Sequence, residues 1–170
     1  MEFNNIKSKF PIFKQKIKGK SLIYLDSANS SQKPKTVIDE ISRFYETEFS
    51  NVGRSVHTLA VKATNKFEET RDIVKTYINA KNREEIIFTK GATEAINLVA
   101  NTYGEKFIKS GDEIIVTELE HHSNYVPWHY LRRNKGAIIK FASVNEHGEI
   151  NVDEFKKHIT EKTKMIAFTH

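Results

Sequence analysis

The sequence predicts an α/β fold, a mainly parallel sheet with helices on both faces, preceded by N-terminal helices. Short runs rich in β-branched residues, EIIFT over 85–89, EIIVT over 113–117 and AIIKFA over 137–142, alternate with stretches of helical period. Parallel strands need cover on both faces, and the intervening helices supply it. The length of 170 residues allows a core, since a chain of about 150 residues buries about 68–70% of its unfolded surface.

Taken in order, the first 20 residues hold a short helix before Pro11, residues 21–25 an extended stretch and residues 26–33 a polar loop. Pro34 suits the first turn of a helix, and Val37, Ile38, Ile41, Phe44, Tyr45 and Phe49 follow helical spacing. A loop over 50–56 leads to a longer helix over 58–80, with Leu59, Ala63, Phe67, Val74, Tyr77 and Ile78 on one face. A strand is expected over 85–89, then a helix over 92–103 ending near Gly104, then a strand over 113–117. The next helix, 123–135, has Ser123 as its N-cap and Gly136 as its stop. A strand over 137–142 precedes a helix from Asn151 to about Thr160, where Asn151 and Glu154 resemble a capping box. A last apolar run, KMIAFTH, covers 164–170. Residues 1–80 thus read as an N-terminal segment with helices, and 81–170 as the first half of a larger domain. An apolar strand at the very end invites pairing with another chain, and truncation is the expectation.

Composition narrows the function classes. With no cysteine there is no disulfide scaffold, thiolate zinc site or cysteine nucleophile within these residues. No apolar run approaches the roughly 18–20 residues of a membrane span. The basic N-terminus has no apolar signal region, so a cytoplasmic location is expected. The net charge of +5 rests on 21 lysines and 6 arginines, with six of the lysines in the first 20 residues. A solvated, mobile arm is preferred there over a nucleic-acid-binding one, because no Arg forks or aromatic platforms accompany it.

Ligands of open α/β sheets sit beyond the carboxyl ends of the strands. One such end is Thr89-Lys90-Gly91-Ala92-Thr93-Glu94. Gly91 permits an unusual backbone angle, the N–H groups of Ala92 and Thr93 are expected to point outward, and the Thr93 hydroxyl adds a donor. A helix start of this kind favours an anion by about 0.3–1 kcal/mol, up to about 2 when partly buried. It is not a Walker A loop, and an ordinary helix cap remains the alternative. A second end is Glu118-Leu119-Glu120-His121-His122-Ser123-Asn124. Its histidines suit acid–base work, an aromatic platform or a solvated loop. Adjacent histidines do not readily face one ion, so no metal site is expected. The third end is Thr169-His170. His57 at a loop–helix border reads as structural, His129, His147 and His158 as surface residues, and Trp128 beside Pro127 as packing.

Tyr24-Leu25-Asp26-Ser27-Ala28, Gly91-Ala92-Thr93-Glu94-Ala95-Ile96-Asn97, Glu120-His121-His122-Ser123-Asn124 and Val126-Pro127-Trp128 form an ordered set. The set resembles the class V, fold-type I pyridoxal-phosphate (PLP) enzymes, most closely the SUF-type cysteine desulfurase and selenocysteine lyase group, from about Tyr24 to His170. The resemblance implies an incomplete fold-type I PLP-transferase large domain. It implies that Ala92 and Thr93 hold the cofactor phosphate and that His121 stacks on the pyridine ring and assists proton transfer. Thr169-His170 matches the start of the family's Thr-His-x-Ser-Asn stretch. Family members convert L-cysteine to L-alanine and pass the sulfur, as a persulfide, towards Fe-S cluster assembly. L-cysteine or selenocysteine, a second copy of the enzyme and a sulfur-acceptor protein are the implied partners, with neither nucleic acid nor membrane among them.

The sequence departs from that pattern. The Asp that pairs with the pyridine nitrogen, the Schiff-base Lys and the persulfide-forming Cys all belong to the family's second half. No lysine here stands in the Ser-x-His-Lys context. Gly53-Arg54-Ser55-Val56-His57 replaces the usual His-Arg-Gly-x-His, and Asn29 stands where a small residue is usual. The resulting expectation is an N-terminal half that is inactive alone. A non-catalytic subunit pairing with a full-length paralogue and a basic nucleic-acid-binding domain are the alternatives. The absent strands are also expected to leave the cradle and the His121 platform on sheet pieces with nothing between them, so that the chain folds poorly alone.

Overall fold

The computed structural model describes residues 6–169, and the chain divides into two compact units at Ile86/Ile87. In the first unit, Pro11–Lys14 form a 3-10 turn, and β1 (Lys16–Ile17) pairs antiparallel with β2 (Lys20–Ser21). The helix expected before Pro11 reaches into residues outside those described. Helix α1 spans Lys35–Thr47 with Pro34 as its cap, and α2 spans Thr58–Tyr77. Ala60 and Ala63 are buried on α2. Arg43 pairs with Glu40 and Glu48, and Lys66 of α2 reaches the same two carboxylates, tying the helices together. Hydrogen bonds first from Arg43 and then from Lys66 draw the Glu48 carboxyl down to about 2.

The strand expected over 85–89 does not form. Asn82 and Glu85 make a reciprocal capping box instead, the Asn82 N–H donating to Glu85 Oε1 at 2.9 Å, which folds Arg83–Glu85 into a 3-10 turn. Beyond that turn Ile86 is extended, at φ −95 and ψ 115, but residues 86–89 belong to neither sheet, so the run lacks a ladder to join.

The second unit carries a three-stranded parallel sheet in the order β4-β3-β5. β3 is Glu113–Thr117, β4 Ile138–Ala142 and β5 Thr163–Ala167. Glu113 to Thr117 register on Ile138 to Ala142, and Ile114 to Val116 on Met165 to Ala167. The chain moves from β3 outward to β4 through α4 (Val126–Lys135), then back across β3 to β5 through α5 (Val152–Lys157). Right-handed crossovers in opposite directions place α4 and α5 on opposite faces of the sheet.

All five residues of β3 are buried. Ile114 and Val116 join Ala100, Ile108, Trp128, Leu131 and Ala137 in one apolar cluster. Glu113 enters the sheet at its amino end with Lys140 at 2.8 Å and with Thr160 and Thr163 hydroxyls donating to Oε2 at 2.6 and 3.2 Å. The Lys140 bond, then that of Thr160, holds its carboxyl below the ordinary 4.5 despite burial.

Helix α3 (Ala92–Val99) runs on without a stop through a π-helical segment, Ala100–Gly104, into a last turn, Glu105–Phe107. Gly104, the expected terminator, has φ −58 and continues the rod. Its role is steric: a Cβ there would lie 2.6 Å from Leu131 Cδ1, so the missing side chain lets α4 approach. Ser123 does not cap α4. It lies in a 3-10 turn, His122–Asn124, and the helix begins at Val126 because Pro127, which has no N–H to leave unpaired, fits its first turn. Gly136 does end α4, in the left-handed region at φ +75 with Ser110 Oγ 2.7 Å from where a Cβ would stand. Asn151 caps α5 by accepting from the N–H groups of Asp153 and Glu154, while Glu154 pairs forward with Lys157 rather than back to the cap.

Two outcomes test this packing. Gly136→Ala is expected to lose about 1–2 kcal/mol of stability in urea unfolding, from the left-handed backbone alone. For Glu113 the folded pKa lies below the unfolded one. Its contribution is therefore complete above the unfolded value and lost as pH falls through the lowered folded value. The urea midpoint is expected to drop on acidification below 4.5, and Glu113→Gln to show a shallower drop.

Candidate functional site

The carboxyl ends of β3 and β5 and the start of α3 belong to one unit. Helix α3 packs directly against the His122–Asn124 turn, and its Ile96 and Ala100 enter the core around Val116 and Trp128. The cradle and the platform, expected with nothing between them, are thus in direct contact through helix and turn, with no strand intervening.

Gly91 stands at the N-cap of α3 with φ 162 and ψ 179, ordinary extended backbone, and with no heavy atom within 4 Å of where a Cβ would stand. The freedom that glycine permits is not used there. What the position supplies is an N-cap without a side-chain hydrogen bond to the helix. The first-turn N–H groups, which have no intrahelical acceptor, are left open at the exposed residues Ala92 and Thr93. Glu94 turns its carboxylate to the Lys90 N–H at 2.6 Å, and Asn97 Nδ2 donates to the Thr93 carbonyl at 2.8 Å. Further along, Asn97, Ala100, Asn101, Pro127 and Tyr130 line a cavity of about 260 Å³ between α3 and α4.

At the end of β3 two carboxylates face opposite neighbours. Glu118 accepts from the Val144 N–H and the Ser143 hydroxyl beyond β4, at 3.3 and 3.4 Å. Glu120 accepts four hydrogen bonds: from Thr117 Oγ1 at 2.6 Å and the Thr169 N–H at 2.9 Å on Oε1, and from Asn124 Nδ2 at 2.7 Å and Thr169 Oγ1 at 3.0 Å on Oε2. Burial pushes this carboxyl up. The bonds from Thr117, Asn124 and Thr169 outweigh it and hold the group below its ordinary value. Asn124 in turn accepts from Trp128 Nε1 at 3.1 Å, which anchors the cluster in the core.

His121 follows Glu120 directly and is exposed. It caps the 3-10 turn: its Nδ1 accepts from the Ser123 N–H at 3.1 Å and lies 2.9 Å from Ser123 Oγ. A backbone amide only donates, so Nδ1 is the acceptor and the neutral ring carries its proton on Nε2. His122 stands edge-on to it, ring centroids 5.9 Å apart at 84°.

The structure thus places Ala92, Thr93 and His121 at neighbouring ends of packed elements. Thr169 joins them through Glu120, while His170 lies outside the described residues. Trp128 is buried, and His57 caps α2 by accepting from the Ala60 N–H. His129 is not the surface residue expected: it is half-buried against the Tyr125 ring, and its Nε2 is buried with no hydrogen-bond partner among the described residues. Sequence reasoning gave no role to Glu120, Asn124 or Thr117. Their signal is the spacing Thr117-x-x-Glu120-x-x-x-Asn124, polar side chains placed to meet as the strand ends in a tight turn. Among the described residues no group of three or more His, Asp or Glu side chains gathers to hold a metal ion, and no helix is long and apolar enough to cross a membrane.

In a chain with 15N-labelled histidine, neutral His121 is expected as the Nε2–H tautomer in two-bond 1H–15N spectra. Ser123→Ala keeps the amide donor and the preference, and Ser123→Pro loses both.

Known proteins resemble this chain in sequence and fold. The chain is 47% identical over 169 residues to a probable cysteine desulfurase of Staphylococcus aureus (strain Mu50 / ATCC 700699), covering 99% of this chain and 41% of that protein. The apo structure of a cysteine desulfurase from Thermococcus onnurineus NA1 superposes with a TM-score of 0.87 at 34% identity, over 98% of this chain and 39% of that one. A mutant of C-DES, solved with glycine covalently linked to its PLP cofactor, shares the fold with a TM-score of 0.64 at 18% identity, over 80% of this chain and 34% of that one. The chain spans about two fifths of the length of the first of these relatives. The family model of the class-V aminotransferases matches residues 23–170, and the chain belongs to that family.

Proposed function

We propose that these residues form the front of a PLP-dependent cysteine desulfurase, the part that receives the cofactor's phosphate and one face of its ring. The supporting observation is the uncapped first turn of α3 packed against the turn that His121 caps. The donors present fit the group. Ala92 and Thr93 offer N–H groups, Thr93 adds a hydroxyl, and the helix dipole favours the dianion at that end. His121 supplies an exposed imidazole whose Nδ1 is engaged and whose Nε2–H is open for a proton transfer or a ring contact.

PLP bound there would supply an electron sink for the substrate's α-carbon. This chain's own residues do the rest at that face: Ala92 and Thr93 fix the phosphate, and His121 holds one proton at Nε2. L-cysteine is the substrate this reading assigns, with L-alanine as product and the sulfur passed on for Fe-S cluster assembly. The 170 residues include no cysteine, so no thiol among them accepts that sulfur. No lysine stands in the family's Schiff-base context, so covalent capture of the cofactor is not assigned to this stretch.

Hydrogen exchange read by mass spectrometry tests the reading. Pyridoxal phosphate is expected to slow amide exchange over residues 92–95, and pyridoxal, which lacks the phosphate, is not. Thr93→Val is expected to weaken the protection several-fold by removing one hydroxyl donor. Equal protection by both compounds would refute the phosphate assignment. A borohydride-reduced adduct on one lysine would overturn the reading that no Schiff-base lysine lies here.

A further inference from the structure

We propose that Glu120 is the positioning residue of the cofactor face, a clip that locks the segment bearing His121 to the carboxyl ends of β3 and β5. The inference rests on the proposed role of His121 at the cofactor ring, but its geometry stands apart from it. A carboxylate offers about four lone-pair sites, and all four of Glu120 are taken: two by Thr169, one by Thr117 and one by Asn124. No site is left to act as a base, so its service is to hold.

The three partners come from three separate places. Thr117 is the last residue of β3, Asn124 closes the 3-10 turn and Thr169 lies two residues beyond β5. The link from Glu120 to Thr169 crosses 49 residues of sequence. His121 sits between two fixed points, Glu120 before it and the Ser123–Asn124 turn after it. Trp128 anchors the far side through Asn124. Fixing these ends fixes the position of the His121 ring and of the Nδ1 bond that sets its tautomer. Charge-assisted bonds of this kind are the stronger ones, and one carboxylate supplies all of them.

Glu120→Gln tests this, because the amide keeps the shape but turns one acceptor oxygen into a donor facing other donors. Amide exchange over residues 119–125 and at 168–169 is expected to rise about tenfold, both segments together. Exchange within β3 and along α4 is expected to stay at the wild-type rate. In the same variant, 15N-labelled His121 is expected to lose its single-tautomer signature, read by magic-angle-spinning NMR on sedimented protein so that particle size does not matter. Thr169→Val alters an exposed residue and removes one bond only, and it is expected to raise exchange over 119–125 by about threefold. Unchanged exchange over 119–125 in both variants, a rise confined to one segment in Glu120→Gln, or an even rise through β3 and α4 would overturn the proposal. None of these readouts needs the cofactor, so failure of pyridoxal phosphate to protect residues 92–95 would refute the proposed function while leaving the clip standing.

Discussion

A parallel strand buried on both faces governs the second unit. β3 is bonded along both edges, by β4 and by β5, and all five of its residues are buried. Such a strand has no room for an unpaired polar group along its length, so polar chemistry is displaced to its two ends. Both ends carry glutamate. At the amino end Glu113 is held by one lysine and two hydroxyls, and at the carboxyl end Glu120 is held by two hydroxyls, one amide N–H and one Asn side chain. Each carboxylate is held by these partners below its ordinary pKa against the opposing effect of burial. The two ends differ in their surroundings: Lys140 closes the first, whereas the second opens into the turn of His121.

The neighbouring helix is placed by a different constraint, close approach. Gly104 lets Leu131 sit where a side chain would otherwise stand, and the π-helical turn before it keeps Ala100 in the core as the rod passes α4. A π segment inserts one residue into the helical repeat and so changes which residues face the sheet. Ile96 faces the core on one side of that change and Ile108 on the other. The start of α3 is thereby held beside the 3-10 turn by packing at its far end.

Much of this was legible in the sequence. EIIVT and IIKFA declared strands, Gly136 declared a stop and Asn151 a cap, each through a local rule that the tertiary structure respects. Misreadings arose where two local rules competed. At 85–89 the capping pair Asn82 with Glu85 draws the first residue into a 3-10 turn, and the rest of the run joins neither sheet. At Gly104 a residue that often ends helices serves close packing instead. At Ser123 a good capping residue lies within a tighter turn because Pro127 sets the true start. For the candidate site, the helix start at Ala92 and Thr93 and the place of His121 beyond β3 were legible, whereas the strand expected before Ala92 was not found, and motif resemblance tied the three residues together. Glu120 was not singled out, because its importance lies in Thr169, 49 residues away, and no local pattern reports a contact of that span.

Gly91 has one more consequence. As an N-cap, glycine forfeits only a few tenths of a kcal/mol against Asn, Asp or Ser, so leaving the first turn of α3 unfilled costs the helix little. A residue with a side-chain oxygen at that place would be an intramolecular competitor, permanently tethered at high effective concentration and occupying the same N–H groups that a ligand needs. The absence of a side chain there keeps the seat open, and any anion that takes it becomes the cap, coupling occupancy of the site to the order of the helix.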